Sequence, residues 1–360
     1  MKKSLLALAL LGAFAGAASA QSSVTLFGIV DLNVGIIKNN DDLNGTSTKV
    51  KRMGTDGINS SRLGFRGVED LGSGLKAGFW LEAGVNPDTG TTNSKFFNRR
   101  STVSLIGNFG ELRLGRDYTP SFWNLTLFDP FGTNGVGSFL NLVTTLLGPN
   151  QGTNQANTLV RADNSVGYFL PAGIGGLYGQ AMVAAGENGA NGTQVDNKYA
   201  GGRLGWASGP FDVAVGYGRT DLDLFPAGRG DQFKQWNIGG SWDFGLAKLM
   251  GQYVESKWDP VTEKIWLIGG VVPIGQGEVH VSYSDATFTG GSIHPFQSGD
   301  DAKQFALGYV YNVSKRTAMY GTYSYLKNDG DQVLTVGSQG LGSATAGKSQ
   351  GVEVGLRHAF

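Results

Sequence analysis

From Val24 to the C terminus the chain is written in period two, in segments of about a dozen residues. In the first segment Val24, Leu26, Gly28, Val30, Leu32, Val34 and Ile36 share one phase, and Thr25, Asp31 and Asn33 fall on the other. Successive side chains of an extended strand point to opposite faces, so this is a strand with one apolar face. The pattern returns at 211–217, 236–244, 279–284, 305–312 and 352–357. Strand length constrains the fold most. Strands of ordinary globular domains run about 5–6 residues, whereas about 9–11 tilted residues cross a bilayer.

The connections sort into two classes. Very short turns are expected at 71–74, 108–110, 208–210, 245–246, 273–276 and 315–316. Between them lie polar stretches rich in Gly, Asn, Asp, Ser and Thr, at about 37–60, 86–95, 187–197, 222–231, 257–263, 289–300 and 329–348. Short connections on one side and long ones on the other are the layout of a transmembrane barrel. The expected fold is therefore all-β, a transmembrane antiparallel β-barrel of about sixteen strands. A soluble sandwich or propeller would have shorter strands and unsorted turns, and no blade-length repeat is visible. Aromatic residues near strand ends, Tyr217, Trp242, Phe244, Tyr253, Trp258, Tyr311, Tyr320, Tyr325 and the terminal Phe360, suit interfacial girdles.

Composition removes other classes. The 58 glycines argue against a helical protein. Beyond the N terminus no stretch approaches the roughly 18 consecutive apolar residues of a membrane helix. There are no cysteines to form disulfides or thiolate metal sites, and a net charge of zero gives no sign of nucleic-acid binding. His280, His294 and His358 are too scattered for a metal site. No serine sits in a Gly-x-Ser-x-Gly context, so neither an enzyme nor a cofactor is expected. The asparagine- and aspartate-rich loops contain no Asp-x-Asp-x-Asp-Gly calcium loop.

Two segments break the alternation. At the N terminus Lys2 and Lys3 precede an apolar stretch, 4–17, and the small residues Ala18, Ser19 and Ala20. That reads as a secretory signal peptide spanning 1–20, leaving 21–360 as the exported barrel. The second break runs from about 119 to 160. An irregular insertion of that size inside a compact fold is usually functional. Its only charged residue is Asp129, with Asp117 just before it, and it contains the apolar run that begins at Ser138 and ends at Leu147. Part of that run suits a short helix packed on the wall.

These residues resemble the trimeric general porins of the Gram-negative outer membrane, of β-proteobacterial type. The carriers are Ser-Val-Thr-Leu-Phe-Gly at 23–28, Ser-Arg-Leu-Gly-Phe-Arg-Gly at 61–67, Leu-Gly-Arg-Asp-Tyr-Thr-Pro at 114–120, Asp-Pro-Phe-Gly at 129–132, Arg-Ala-Asp-Asn-Ser-Val-Gly-Tyr at 161–168, and the terminal His-Ala-Phe. The resemblance covers all of 21–360. It implies a sixteen-stranded homotrimer in outer-membrane lipid and lipopolysaccharide, with one pore per subunit. It implies a last strand ending in Phe360 that the barrel-assembly machinery reads, and a second loop, 86–97, that latches a neighbouring subunit. The third loop, 119–160, would fold inward and narrow the pore, bringing Asp117, Asp129 and Phe131 to the constriction.

A barrel of this size encloses a channel wider than one small solute, so selectivity needs an obstruction and fixed charge. By resemblance the facing wall carries Arg62, Arg116 and Arg161. Phase supports Arg62, adds Arg100 and extends to Arg66, but sets Arg116 with the apolar Leu112 and Leu114. A bulge near Gly115 would resolve that. Related porins usually place several carboxylates on this loop. Here several arginines face one or two, although Asp31, Glu82 and Glu111 have lumen phase. The expected function is a general diffusion porin for small hydrophilic solutes and ions that leans towards anions. The alternatives are a porin selective for organic anions and a surface adhesion or receptor barrel.

Overall fold

The computed structural model describes residues 23–92, 94–143, 158–188, 194–195, 198–221, 232–258, 261–291, 297–337 and 347–360. The expected signal peptide and Gln21 lie outside these residues, as do His294, the end of the apolar run at 144–147 and parts of the long connections.

Each strand pairs antiparallel with the next in sequence. They are β1 (Ser23–Asp41), β2 (in two pieces, Thr46–Thr55 and Arg62–Gly72), β3 (Leu75–Asn86), β4 (Arg100–Gly107), β5 (Gly110–Tyr118), β6 (Arg161–Phe169), β7 (Leu177–Ala184) and β8 (Tyr199–Ser208). The second half comprises β9 (Phe211–Asp221), β10 (Gln232–Asp243), β11 (Lys248–Trp258), β12 (Val261–Ile274), β13 (Gly277–Thr289), β14 (Ala302–Asn312), β15 (Thr317–Asn328) and β16 (Lys348–Ala359). The sheet closes where β1 meets β16, from Ile29 opposite Ala359 to Asn40 opposite Lys348. Beyond the ladder, the Phe360 N–H donates to Gly28 O at 3.0 Å and the Gly28 N–H to Phe360 O at 3.1 Å. A side chain at Gly28 would strike the Phe360 ring, so the terminal aromatic is seated in the seam.

The outside is apolar and the inside polar, the reverse of a water-soluble domain. Val24, Leu26, Val34, Leu204, Val215, Ile238, Ile268, Leu307, Val352 and Leu356 are exposed, while Asn33, Gln235, Asn237, Gln252, Ser284, Gln304 and Ser324 are buried. Only a hydrocarbon surround makes that arrangement favourable. Aromatics mark both edges of the outer band. Trp206, Phe211, Trp242 and Phe244 follow one another near the short turns, with neighbouring ring centres 5.8–6.2 Å apart. Trp236 with Tyr253, and Trp266 with Tyr283, lie nearer the opposite edge. Tyr320 does not belong to either girdle. It is buried inside, and its hydroxyl donates to Asp31.

Two expected loops are largely strand. In place of a loop at 37–60, β1 continues to Asp41 and β2 begins at Thr46. In place of one at 257–263, β11 ends at Trp258 and β12 starts at Val261. The interruption of β2 at 56–61 is built around Asp31. Its carboxylate accepts the backbone N–H of Gly57, Ile58 and Asn59 at 3.2, 2.9 and 2.8 Å. A carboxylate of lumen phase is thus consumed in holding a bend of the wall.

Candidate pore constriction

The connection between β5 and β6 enters the barrel at once. Thr119 is followed by helix α1 (Pro120–Leu127). Proline is suited to this first turn because its missing N–H has no helical partner there. The helix lies against β8, β9 and β10. Asn124 Nδ2 donates to Asn237 Oδ1 and Asn237 Nδ2 to Ser121 O, both at 3.0 Å. Gln252 Nε2 reaches Leu125 O at 3.3 Å.

Inward-facing glycines make room for the loop around the wall. A Cβ at Gly239 would lie 2.2 Å from Phe128, one at Gly269 would lie 2.8 Å from Pro130, and one at Gly308 would lie 3.0 Å from Phe131. At Gly351 it would lie 3.0 Å from Val136. The expected short helix within the apolar run is a single 3₁₀ turn, Phe139–Asn141. Phe122, Leu125, Phe139, Leu142 and Val143 pack against inward-facing Ile37, Val254, Ile265, Phe288 and Leu326. The apolar run, as far as Val143, is therefore turned to the wall.

Asp129 is the loop's one charge, and it is buried. Its carboxylate accepts the N–H groups of Phe131 at 3.0 Å, Thr133 at 2.9 Å and Phe139 at 3.0 Å. Burial pushes its pKa up to about 6 against the pull of those three donors. It fixes the hairpin of the loop and presents no carboxylate to the channel. Phe131 is buried beside it against Gly308 and His280. His280 Nδ1 is 2.6 Å from Pro130 O.

Across from the loop, β2 to β6 bring together a basic group. Arg62 Nη1 lies 3.4 Å and Arg99 Nε 2.6 Å from Glu82 Oε1. Arg99 Nη2 and Arg161 Nη2 both donate to the Tyr118 hydroxyl at 2.5 Å. Arg161 also lies 4.2 Å over the Tyr118 ring. Tyr118 in turn stacks on Phe122 of α1, with ring centres 5.5 Å apart and planes at 6°. Two guanidinium groups, of Arg62 and Arg99, thus share one carboxylate, the third has no carboxylate contact among the described residues, and Tyr118 ties Arg99 and Arg161 to the root of the loop. Arginine suits this placement because it stays charged and its planar group stacks.

The other expected residues fall elsewhere. Arg100 stacks at 4.5 Å on Trp80, with Asp117 at 3.9 Å. Asp117 is buried, with Arg113 Nη1 on its other oxygen. Arg116 does not join the group. The register irregularity expected near Gly115 is present, but only towards β6. Towards β4 the pairing is continuous, Val103 opposite Leu114 and Ser101 opposite Arg116. Arg116 therefore keeps the phase of lipid-facing Leu112 and Leu114. Its guanidinium is taken up by Asn98 O at 2.6 Å and Asp163 at 2.7 Å. Sequence reasoning also missed Arg99. It precedes β4 and has no strand phase to read, and only its proximity to Glu82 reveals it.

Comparison with known proteins agrees with this architecture. Residues 7–331 match the family model described as Gram-negative porin. Outer membrane porin protein 32 of Delftia acidovorans is 41% identical over the full length of both chains. An outer membrane porin protein of Bordetella pertussis is 32% identical, also over the full length of both. Among solved structures, an anion-selective porin from Comamonas acidovorans superposes with a TM-score of 0.80 at 38% identity, over 94% of this chain and all of the other.

Proposed function

Because this chain belongs to the Gram-negative porin family, we propose that Arg62, Arg99 and Arg161 set the charge preference of its pore in favour of anions. The protein is an outer-membrane β-barrel and a general diffusion porin, passing small hydrophilic solutes and ions. Members of this family are channels rather than enzymes. The observation that carries the anion preference is the imbalance at the constriction: Arg62 and Arg99 share Glu82, Arg161 is held by a neutral hydroxyl and a backbone carbonyl, and the facing loop has its only carboxylate buried. Fixed positive charge in a narrow aqueous pore raises the local concentration of anions and repels cations. The anion-selective relative supports the same reading.

The finer features belong to the same proposal. Residues 1–20 are a cleaved signal peptide, 21–360 is the barrel, and 119–160 is its constriction loop. The barrel assembles as a homotrimer in lipopolysaccharide-containing membrane after recognition of Phe360 by the assembly machinery. Solutes pass without a cofactor, and no catalytic step is involved. The test is the reversal potential of the purified protein in a planar bilayer under a potassium chloride gradient. Chloride preference is expected. Clear potassium preference overturns the anion reading, and the absence of channel current overturns the diffusion reading in favour of an adhesion barrel.

A further inference from the structure

A second basic cavity lies beyond the constriction, on the short-turn side. Arg66 is four residues further along β2 than Arg62, about 13 Å at the rise of an extended strand. With Trp80, Arg100, Ser104, Glu111 and Arg113 it lines a cavity of about 370 Å³. The Trp80 ring is fixed by its Nε1, which donates to Glu82 at 2.9 Å. Arg66 Cζ lies 5.1 Å and Arg100 Cζ 4.5 Å from that ring, and Arg66 is also 5.2 Å from the Phe27 ring.

The charges here are unequally satisfied. Arg113 is held by Glu111 at 2.9 Å and by Asp117, and Arg100 by Thr102 at 3.0 Å and Asp117 at 3.9 Å. Arg66, among the described residues, has only its aromatic contacts. Its guanidinium is oriented by stacking while its N–H donors stay open, which is the form that receives a carboxylate in two parallel hydrogen bonds. Beside it the wall is apolar. The ideal Cβ position of Gly78 has Ile106 at 3.6 Å and Val68 at 3.9 Å as its side-chain neighbours.

We propose that this cavity is a second anion subsite, for a small carboxylate bearing an apolar body. The carboxylate sits on Arg66, the one arginine of this cavity with no carboxylate partner among the described residues, and the apolar part lies over Gly78, Val68 and Ile106. Such a site concentrates one chemical class of solute at the inner mouth, which the constriction arginines alone do not do. The inference rests on the channel reading, but not on the chloride preference assigned to Arg62, Arg99 and Arg161.

The experiment measures block of potassium chloride current by benzoate and by acetate in planar bilayers, for wild type, Arg66→Gln, Gly78→Val and Arg62→Gln. Benzoate is expected to block wild type more strongly than acetate. Arg66→Gln weakens benzoate block by about tenfold, the scale of one charge-assisted contact, with conductance and chloride preference in chloride alone within about twofold of wild type. Gly78→Val has ordinary contact distances around its first carbon. It removes the benzoate advantage and leaves acetate block intact. Unchanged benzoate block in Arg66→Gln overturns the proposal. So does loss of block in Arg62→Gln with none in Arg66→Gln, which assigns binding to the constriction. Absence of chloride preference in wild type, with benzoate block still dependent on Arg66, would sink the constriction reading alone.

Discussion

Neutralising single arginines separates the residues that charge the pore from one that only resembles them. Arg62 and Arg161 belong to the group around Glu82 and Tyr118, whereas Arg116 is paired with Asp163 on the phase of the outer face. For an ion passing roughly 6 Å from a guanidinium in water, one unit of charge is worth about 0.7 kcal/mol unscreened. A Debye length of about 10 Å at 0.1 M salt reduces that to about 0.4 kcal/mol. The sign is opposite for chloride and potassium, so their permeability ratio changes by about twice that energy, or roughly 3–4-fold. At 1 M the Debye length is about 3 Å, and the change shrinks to below about 1.5-fold.

Arg62→Gln and Arg161→Gln should therefore each lower the chloride-to-potassium ratio about 3–4-fold at 0.1 M, and Arg116→Gln should leave it nearly unchanged. Arg161→Lys is the control, keeping the charge while losing the stacking on Tyr118. It should preserve selectivity and alter conductance if the loop root shifts. The assay is the reversal potential across a tenfold salt gradient at low and high mean concentration. A shift in Arg116→Gln equal to that in Arg62→Gln, or shifts independent of salt, would refute the reasoning.

Other expectations follow from the loop and the seam. Gly239→Leu drives a side chain into Phe128, and single-channel recording should show altered unit conductance with the barrel's circular dichroism retained. Asp129 has a folded pKa raised to about 6 from an ordinary value near 3.8, so between those values the folded protein binds more protons than the unfolded chain. Its contribution to stability should grow as pH falls through 6 towards 4 and be flat above; thermal melts of wild type against Asp129→Asn check the slope, which the variant should lose. Tyr320→Phe removes a donor to buried Asp31 and should cost about 1–3 kcal/mol in denaturant titration. Deleting Phe360 removes both backbone bonds to Gly28 and should lower the yield of heat-modifiable folded protein on unheated gels.

How much was legible in the sequence depended on where each residue sits relative to the bilayer. Within the membrane one face of each strand meets lipid and the other water, so period two is forced on the sequence and the barrel can be read from it. Above the membrane neither face of the sheet meets lipid, and polar residues serve on both, with Asn39 and Asp41 buried inside and Lys38 exposed outside. Lys38, Asn39, Asn40 and Asp41, and Thr46 to Lys49 opposite them, carry no alternation, although they are paired strand. Composition therefore presents them as a loop. Tyr320 is the opposite case. Its phase, shared with Thr322 and Ser324, pointed inward, and reading it as a girdle residue gave residue type more weight than position.

The constriction was legible only in part, because selectivity arises from the pairing of charges and a count of them does not give it. By count, Asp31, Glu82, Glu111 and Asp129 all offset the arginines. Asp31 is spent on the bend at 56–61, Asp129 on the loop's own hairpin and Glu111 on Arg113. Glu82 alone remains to face Arg62 and Arg99, while Arg161 is held by a neutral tyrosine hydroxyl and a backbone carbonyl. The loop's lack of an exposed charge has a consequence of its own. Wall glycines let its apolar side pack directly on the barrel, so its anchorage needs no ion pair with the pore arginines. The surplus positive charge thus stays in the channel and is not consumed in holding the loop. A carboxylate added at half-exposed Leu127, which lies outside the loop's apolar core, for example Leu127→Asp, should pull selectivity towards potassium without loosening the loop. A variant that lost conductance stability instead would show that the anchorage depends on the loop's neutrality.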